Sequence, residues 1–213
     1  MSVLTQLASA QGRGDDVPNQ ELAKKLAETQ DLEGIQVLVE NLANDDPGIQ
    51  SDCIKTLYEA GYLDPTLIAD HWAVFLDLLA SKNNRLIWGG MIALSTIADL
   101  RAADLFPHAN EIQQAVEEGS VITQDSGIRA LSAIAAHQED YRSALLPYLF
   151  DRLAACRAKD LPKHAETVLS ALDETNREKF LEVSTLRMPE LTQGQQKRLR
   201  KTLKKANEPV HRW

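Results

Sequence analysis

Residues 89–98 read GGMIALSTIA, and 37 positions further on residues 126–135 read SGIRALSAIA. Working outward from these two segments, Leu57, Leu94, Leu131 and Leu169 fall in register at spacings of 37, 37 and 38 residues. A small residue stands four before each leucine (Cys53, Gly90, Gly127, Ala165) and a small or β-branched one just before it (Thr56, Ala93, Ala130, Val168). An apolar or small residue follows three after (Ala60, Ile97, Ile134, Leu172). Offsets of three and four residues put each set on one helical face. The small side chains admit a neighbouring helix and the leucine fills the space between, so the period marks an internal structural repeat.

A second set of rows keeps the same period: Ile35, Trp72, Ala109, Leu146; Leu38, Phe75, Ile112, Leu149; and Leu42, Leu79, Val116, Leu153. Each unit is therefore two helices, a first and a second. The punctuation agrees. Asp46-Pro47 and Asp64-Pro65 pair an N-cap acceptor with a proline at the first helical position, where its missing N–H costs nothing. Asn83-Asn84 and Gly119-Ser120 separate units, and Pro107 and Pro147 are expected near the starts of their second helices.

These segments, with LLPYLFDRL at 145–153, resemble HEAT repeats, GGMIALSTIA and SGIRALSAIA corresponding to the first helix and LLPYLFDRL to a proline-initiated second helix. The resemblance covers about residues 20 to 172, with a fainter unit behind it. It implies an all-α protein, an α-α superhelix of about five HEAT-like (armadillo-like) helix pairs whose second helices line a concave surface. One departure stands out. Where such repeats often carry an arginine that ladders to an aspartate of the preceding turn, this chain has Gln50, Ile87, Gln124 and Pro162. With the charged ladder missing, the units are expected to rely more on apolar packing. The expected organisation is an N-terminal arm or cap at 1–18, a repeat domain at 19–206 with units near 19–45, 46–82, 83–119, 120–157 and 158–206, and a short tail at 207–213.

Composition narrows the function. At 44% hydrophobic and 25% charged residues the chain can bury a core, and 5% aromatics with few alternating β-branched runs favour helix. The net charge of -8 is uneven: residues 195–213 hold seven Lys/Arg against Glu208 alone, which leaves a balance of -14 elsewhere. An acidic body argues against gripping nucleic-acid phosphates over its whole surface. Cys53 and Cys156 stand far apart with no metal-ligand spacing, as small buried thiols would. The first dozen residues lack a basic, then apolar, leader pattern and no run approaches membrane-spanning length, so the expected location is cytoplasmic.

Helical phase picks out the positions opposite the buried rows of the second helices. They are Glu33, Val37, Glu40, Asn44; Asp70, Val74, Asp77, Ser81; Pro107, Glu111, Gln114, Glu118; and Ala144, Tyr148, Asp151, Ala155. Seven are carboxylates and none is Lys or Arg. Two readings stay open: a solvated helix face, or an acidic groove that steers in a basic partner segment and contacts it through Val74 and Tyr148. Trp88 occupies a row otherwise polar (Ser51, Asp125, Lys163), either as an interface anchor or packed over Gly89-Gly90 or against a neighbouring loop. His71 and His108 share a repeat position too widely spaced to hold one metal, and Arg13-Gly14-Asp15 reads as a linker.

No phosphate loop, nucleophile elbow, calcium loop or Cys/His cluster occurs, so no catalytic residue, metal or cofactor is expected. The reading is a non-catalytic protein-binding adaptor or scaffold. The alternative is a HEAT-like nucleic-acid-binding protein or DNA-repair glycosylase that uses the basic last helix. There Lys197, Arg198, Lys201, Lys204 and Lys205 stand clear of an inner face formed by Leu199 and Leu203. The same helix also reads as an end cap whose charges complement the acidic body.

Overall fold

A computed structural model describes residues 2–208; Met1 and residues 209–213, including Arg212 and most of the expected tail, lie outside the described residues. Among the described residues every regular element is helical. They form two compact units that divide between Ala130 and Leu131.

The first unit opens with short 3-10 turns at Val3–Gln6 and Ser9–Gln11, followed by α1 (Val17–Thr29) and α2 (Leu32–Glu40). Then come α3 (Pro47–Leu63), α4 (Trp72–Asp77), α5 (Asn84–Ile97), a one-turn α6 (Ala102–Leu105), α7 (Ala109–Glu118) and the N-terminal half of α8 (Val121–His137). First helices pack on first helices, α3 lying between α1 and α5. Asp46 caps α3 by accepting from the Gly48 N–H at 2.7 Å, and Asn83 caps α5 by accepting from Arg85 at 3.0 Å. Asp64-Pro65 starts only a 3-10 turn, Pro65–Leu67, and the second helix of that repeat begins at Trp72 instead.

The rows read from the sequence are the core. In α3, α5 and α8 the residues Cys53, Thr56, Leu57, Ala60, Gly90, Ala93, Leu94, Ile97, Gly127, Ala130, Leu131 and Ile134 are all buried. So are Ile35, Leu38, Leu42, Phe75, Ile112 and Val116 on the second helices, while Leu79 and Trp72 are half-buried. Two glycines show why the small row is small. A Cβ on Gly90 lies 2.9 Å from both the Phe75 carbonyl oxygen and the Leu78 Cβ, and one on Gly127 overlaps Val116. The second helix of one repeat meets the first helix of the next there, so closely that added volume forces a shift.

The second unit holds the C-terminal half of α8, then α9 (Glu139–Ala155), α10 (Leu161–Val168), α11 (Arg177–Leu186) and α12 (Gln193–Asn207). Leu146, Leu149, Leu153, Ala165, Val168 and Phe180 are among its buried apolar positions, Leu169 of the repeat row is half-buried in a 3-10 turn, and Leu199 with Thr202 and Ala206 forms the inner face of α12. Leu203 is half-buried. Thr192 opens α12 with a capping box closed by Gln195. One expectation is corrected here. Pro147 does not start its helix: α9 begins eight residues earlier, at Glu139, and runs through the proline. Glu139 and Asp140 in the first turn favour that earlier start, and Leu145 and Leu146 are already buried before the proline.

The missing arginine ladder is partly replaced by amides. The Gln50 side chain donates to the Asn44 carbonyl at 2.7 Å and accepts from Asn83 of the next repeat at 3.4 Å; Gln124 donates to the Gly119 carbonyl at 3.1 Å. Apolar packing is therefore not the sole tie between repeats. Buried polar clusters add to it: in the first unit Asp52 accepts from Asn19 and from the Ser9 N–H, each at 2.7 Å. In the second, Arg142 donates to the Ala171 carbonyl at 3.0 Å and pairs with Asp173 at 3.3 Å.

Candidate interaction surface

The second helices turn one side to the core, and 3.6-residue periodicity then commits the opposite side to solvent. In the first unit Glu33, Glu40, Asp70, Asp77, Glu111 and Glu118 are all exposed, with Val37 and Val74 half-buried among them. Between the α4 segment and α7 the surface dips into a recess of about 270 Å³, where Asp77, Glu111 and Glu118 stand around Leu76 and Leu79, with Gln114 beside them. Several carboxylates have nearby side-chain partners: Gln36 donates to Glu40 at 2.8 Å and Gln114 to Glu118 at 3.0 Å, while His108 Nδ1 lies 2.8 Å from Glu111. Asp70 differs from the rest. Arg101, which lies outside the phase-matched positions, reaches it at 3.1 Å, so this part of the face is less acidic than the second-helix residues alone imply.

In the second unit Ala144, Asp151 and Ala155 are exposed and Tyr148 is half-buried. Asp151 lines a separate recess of about 490 Å³ beside α9 and α11, over Leu146, Pro147 and Phe150.

Trp88 is half-buried rather than exposed. Its ring centroid lies 6.1 Å from that of Tyr58 on α3, with the Arg85 guanidinium 5.3 Å from its own centroid, so it contacts a neighbouring first helix and a cation of its own helix. Lys55 joins this cluster, 4.9 Å from the Tyr58 ring and 2.7 Å from Glu59; burial lowers its pKa, but Glu59 and Tyr58 more than offset this and hold the ammonium above its ordinary value. His71 and His108 are both half-buried at the heads of their second helices. Burial holds the His71 imidazole below its ordinary pKa, and the His108 ring lies 5.7 Å from that of Trp72. Among the described residues no group of three or more His, Cys, Asp or Glu gathers as a metal site. Both thiols are free and buried, and burial pushes Cys53 up to about 12.

On α12, Lys197, Lys201, Lys204 and Lys205 are exposed. Arg198 is committed to Glu166 of α10, at 2.6 and 3.1 Å, and that pairing holds the Glu166 carboxyl below its usual range. Arg13 turns back to Asp15 at 2.9 Å. No helix among the described residues is long and apolar enough to cross a membrane.

A designed armadillo repeat protein in complex with the peptide (KR)4 is similar at 15% identity and a TM-score of 0.62, over 96% of this chain and 98% of that one. A computationally designed armadillo repeat protein for modular peptide recognition is similar at 15% identity and 0.62, over 97% and 98%. The chain has the armadillo/HEAT-type α-solenoid fold. An engineered protein at 18% identity and 0.61, with 98% of both chains covered, has it too. No protein-family model matches the sequence, and no curated protein matches it.

Proposed function

We propose that this solenoid is a non-catalytic scaffold that holds a basic, extended segment of another protein on the face of its second helices. The observation that carries the reading is the recess where Asp77, Glu111 and Glu118 surround an apolar floor of Leu76 and Leu79. Carboxylates give long-range steering and discriminate against acidic partners, while the apolar floor receives the methylene stems of lysine or arginine. Glu33, Glu40, Asp70 and Val74 extend this surface within the first unit, and Asp151 with Tyr148 supplies the corresponding surface of the second. The fold is compatible with this use, since a protein of the same architecture is in complex with a peptide of alternating lysine and arginine. In this reading Trp88 is a packing residue between α3 and α5, and α12 closes the array as a cap tied down by Arg198 and Glu166.

The test is fluorescence anisotropy with a dye-labelled (KR)4 peptide against the wild type and an Asp77→Lys/Glu111→Lys/Glu118→Lys variant. All three positions are exposed, so the fold is expected to survive, with thermal unfolding as the control. The expected result is binding that weakens steeply with salt and falls at least about tenfold in the variant. Equal binding by both proteins removes the acidic face from the account.

A further inference from the structure

The recess of the second unit differs from that of the first in what it lacks. Its floor is Leu146, Pro147 and Phe150, and both cations at its edge are already committed within the chain. Arg142 is spent on Asp173, Glu139 and the Ala171 carbonyl, and Lys179 on Glu182 at 2.9 Å. What remains open to a ligand is acceptor chemistry. Asp151 is exposed, and among the described residues no ion pair holds it. One turn before Pro147 stands Ser143, also on the wall of the recess, and its carbonyl has lost the N–H donor that residue 147 normally supplies to a helix.

We infer that this recess is an anchor subsite for one aromatic or branched aliphatic side chain of a basic extended peptide. The anchor lies on Leu146, Pro147 and Phe150, a neighbouring Lys or Arg faces Asp151, and the peptide backbone offers an N–H to the Ser143 carbonyl. Charge favours this occupant: Arg142 is buried in its own pairs, while Asp151 is exposed to a ligand. The inference rests on the peptide-binding reading above and sharpens it, from a partner that is merely basic to one that is basic with an apolar anchor.

The experiment compares labelled (KR)4 with two derivatives in which one central residue is replaced by phenylalanine or by alanine. Binding is measured by anisotropy to the wild type and to Ser143→Trp, which fills the recess from an exposed helix position, and to Asp151→Lys. The expected result is that the phenylalanine peptide binds wild type about tenfold more tightly than the alanine peptide, as burial of one aromatic side chain gives. That advantage disappears in Ser143→Trp, with thermal unfolding as the control for the fold, while Asp151→Lys weakens all three peptides. Equal affinity of the phenylalanine and alanine peptides for wild type overturns the anchor subsite and leaves the acidic-face reading standing. Failure of wild type to bind any of the three overturns both. An advantage that persists in Ser143→Trp places the anchor elsewhere and overturns the assignment to this recess.

Discussion

The two units use the same helix-pair packing but stabilise it with opposite charges at their polar centres. In the first unit a buried carboxylate gathers neutral donors: Asp52 takes the Asn19 side-chain amide N–H and the Ser9 N–H, while Asn19 Oδ1 takes the Ala8 N–H at 3.0 Å. This ties the N-terminal 3-10 turns and α1 to α3. In the second unit buried or half-buried guanidiniums gather carbonyls: Arg142 takes that of Ala171, and Arg187 takes those of Leu153 and Cys156 at 3.1 and 2.6 Å. The carbonyls that Arg187 caps lie at the C-terminal end of α9, where a cation is favoured by the helix dipole. The outer faces differ as well: three carboxylates ring the recess of the first unit, whereas that of the second carries acidic and basic side chains around Leu146, Pro147 and Phe150. The contrast teaches that the repeat pattern fixes helix placement, while isolated polar residues outside the pattern determine how each unit is fastened and what it offers a ligand.

The contrast can be broken by removing its centres. The largest effect is expected from Arg142→Met, which leaves Asp173 buried without its cation and the Ala171 carbonyl without its donor; urea unfolding should show a loss of about 3 kcal/mol. Asp52→Ala is the counterpart in the first unit. It strands the Ser9 N–H and the Asn19 amide, and a loss of about 2 kcal/mol is expected, with increased amide exchange in residues 2–13. A smaller effect sharpens the difference through pH. Burial raises the Asp173 carboxyl, but the Thr175 hydroxyl and N–H and the Arg142 charge outweigh it and hold the group below its ordinary pKa. A carboxyl depressed on folding stabilises the native state above its unfolded pKa, and that contribution fades as pH falls through the folded value. The stability gap between wild type and Asp173→Asn should therefore be constant above about pH 5 and shrink below about pH 4. A gap that grows on acidification contradicts the assignment.

Much of the fold was legible because helix packing in a repeat array leaves a period in the sequence. Leu57, Leu94 and Leu131 are all fully buried, and the glycines four residues before the last two sit where a second helix comes too close for a Cβ. The exposed carboxylates of the second helices were legible by the same phase argument. Other features carry no such signal. Pro147 reads as a helix start because proline is tolerated there, yet burial of Leu145, Leu146 and Leu149 on one side holds α9 together through it. Arg101, Arg142 and Arg187 act across sequence separations of about thirty residues, which no local spacing reveals. The half-buried state of Trp88 depends on Tyr58 of α3, outside its own helix.

The most direct test of the account is hydrogen–deuterium exchange of the full chain with and without (KR)4 at low salt. The account predicts protection concentrated in α2, the α4 segment and α7 of the first unit and in α9 of the second, lost from the first unit in the Asp77→Lys/Glu111→Lys/Glu118→Lys variant. No protection on those helices at saturating peptide, or nuclease-sensitive protection confined to α12 when the protein is held in cell extract, contradicts it and assigns the binding surface to the basic last helix.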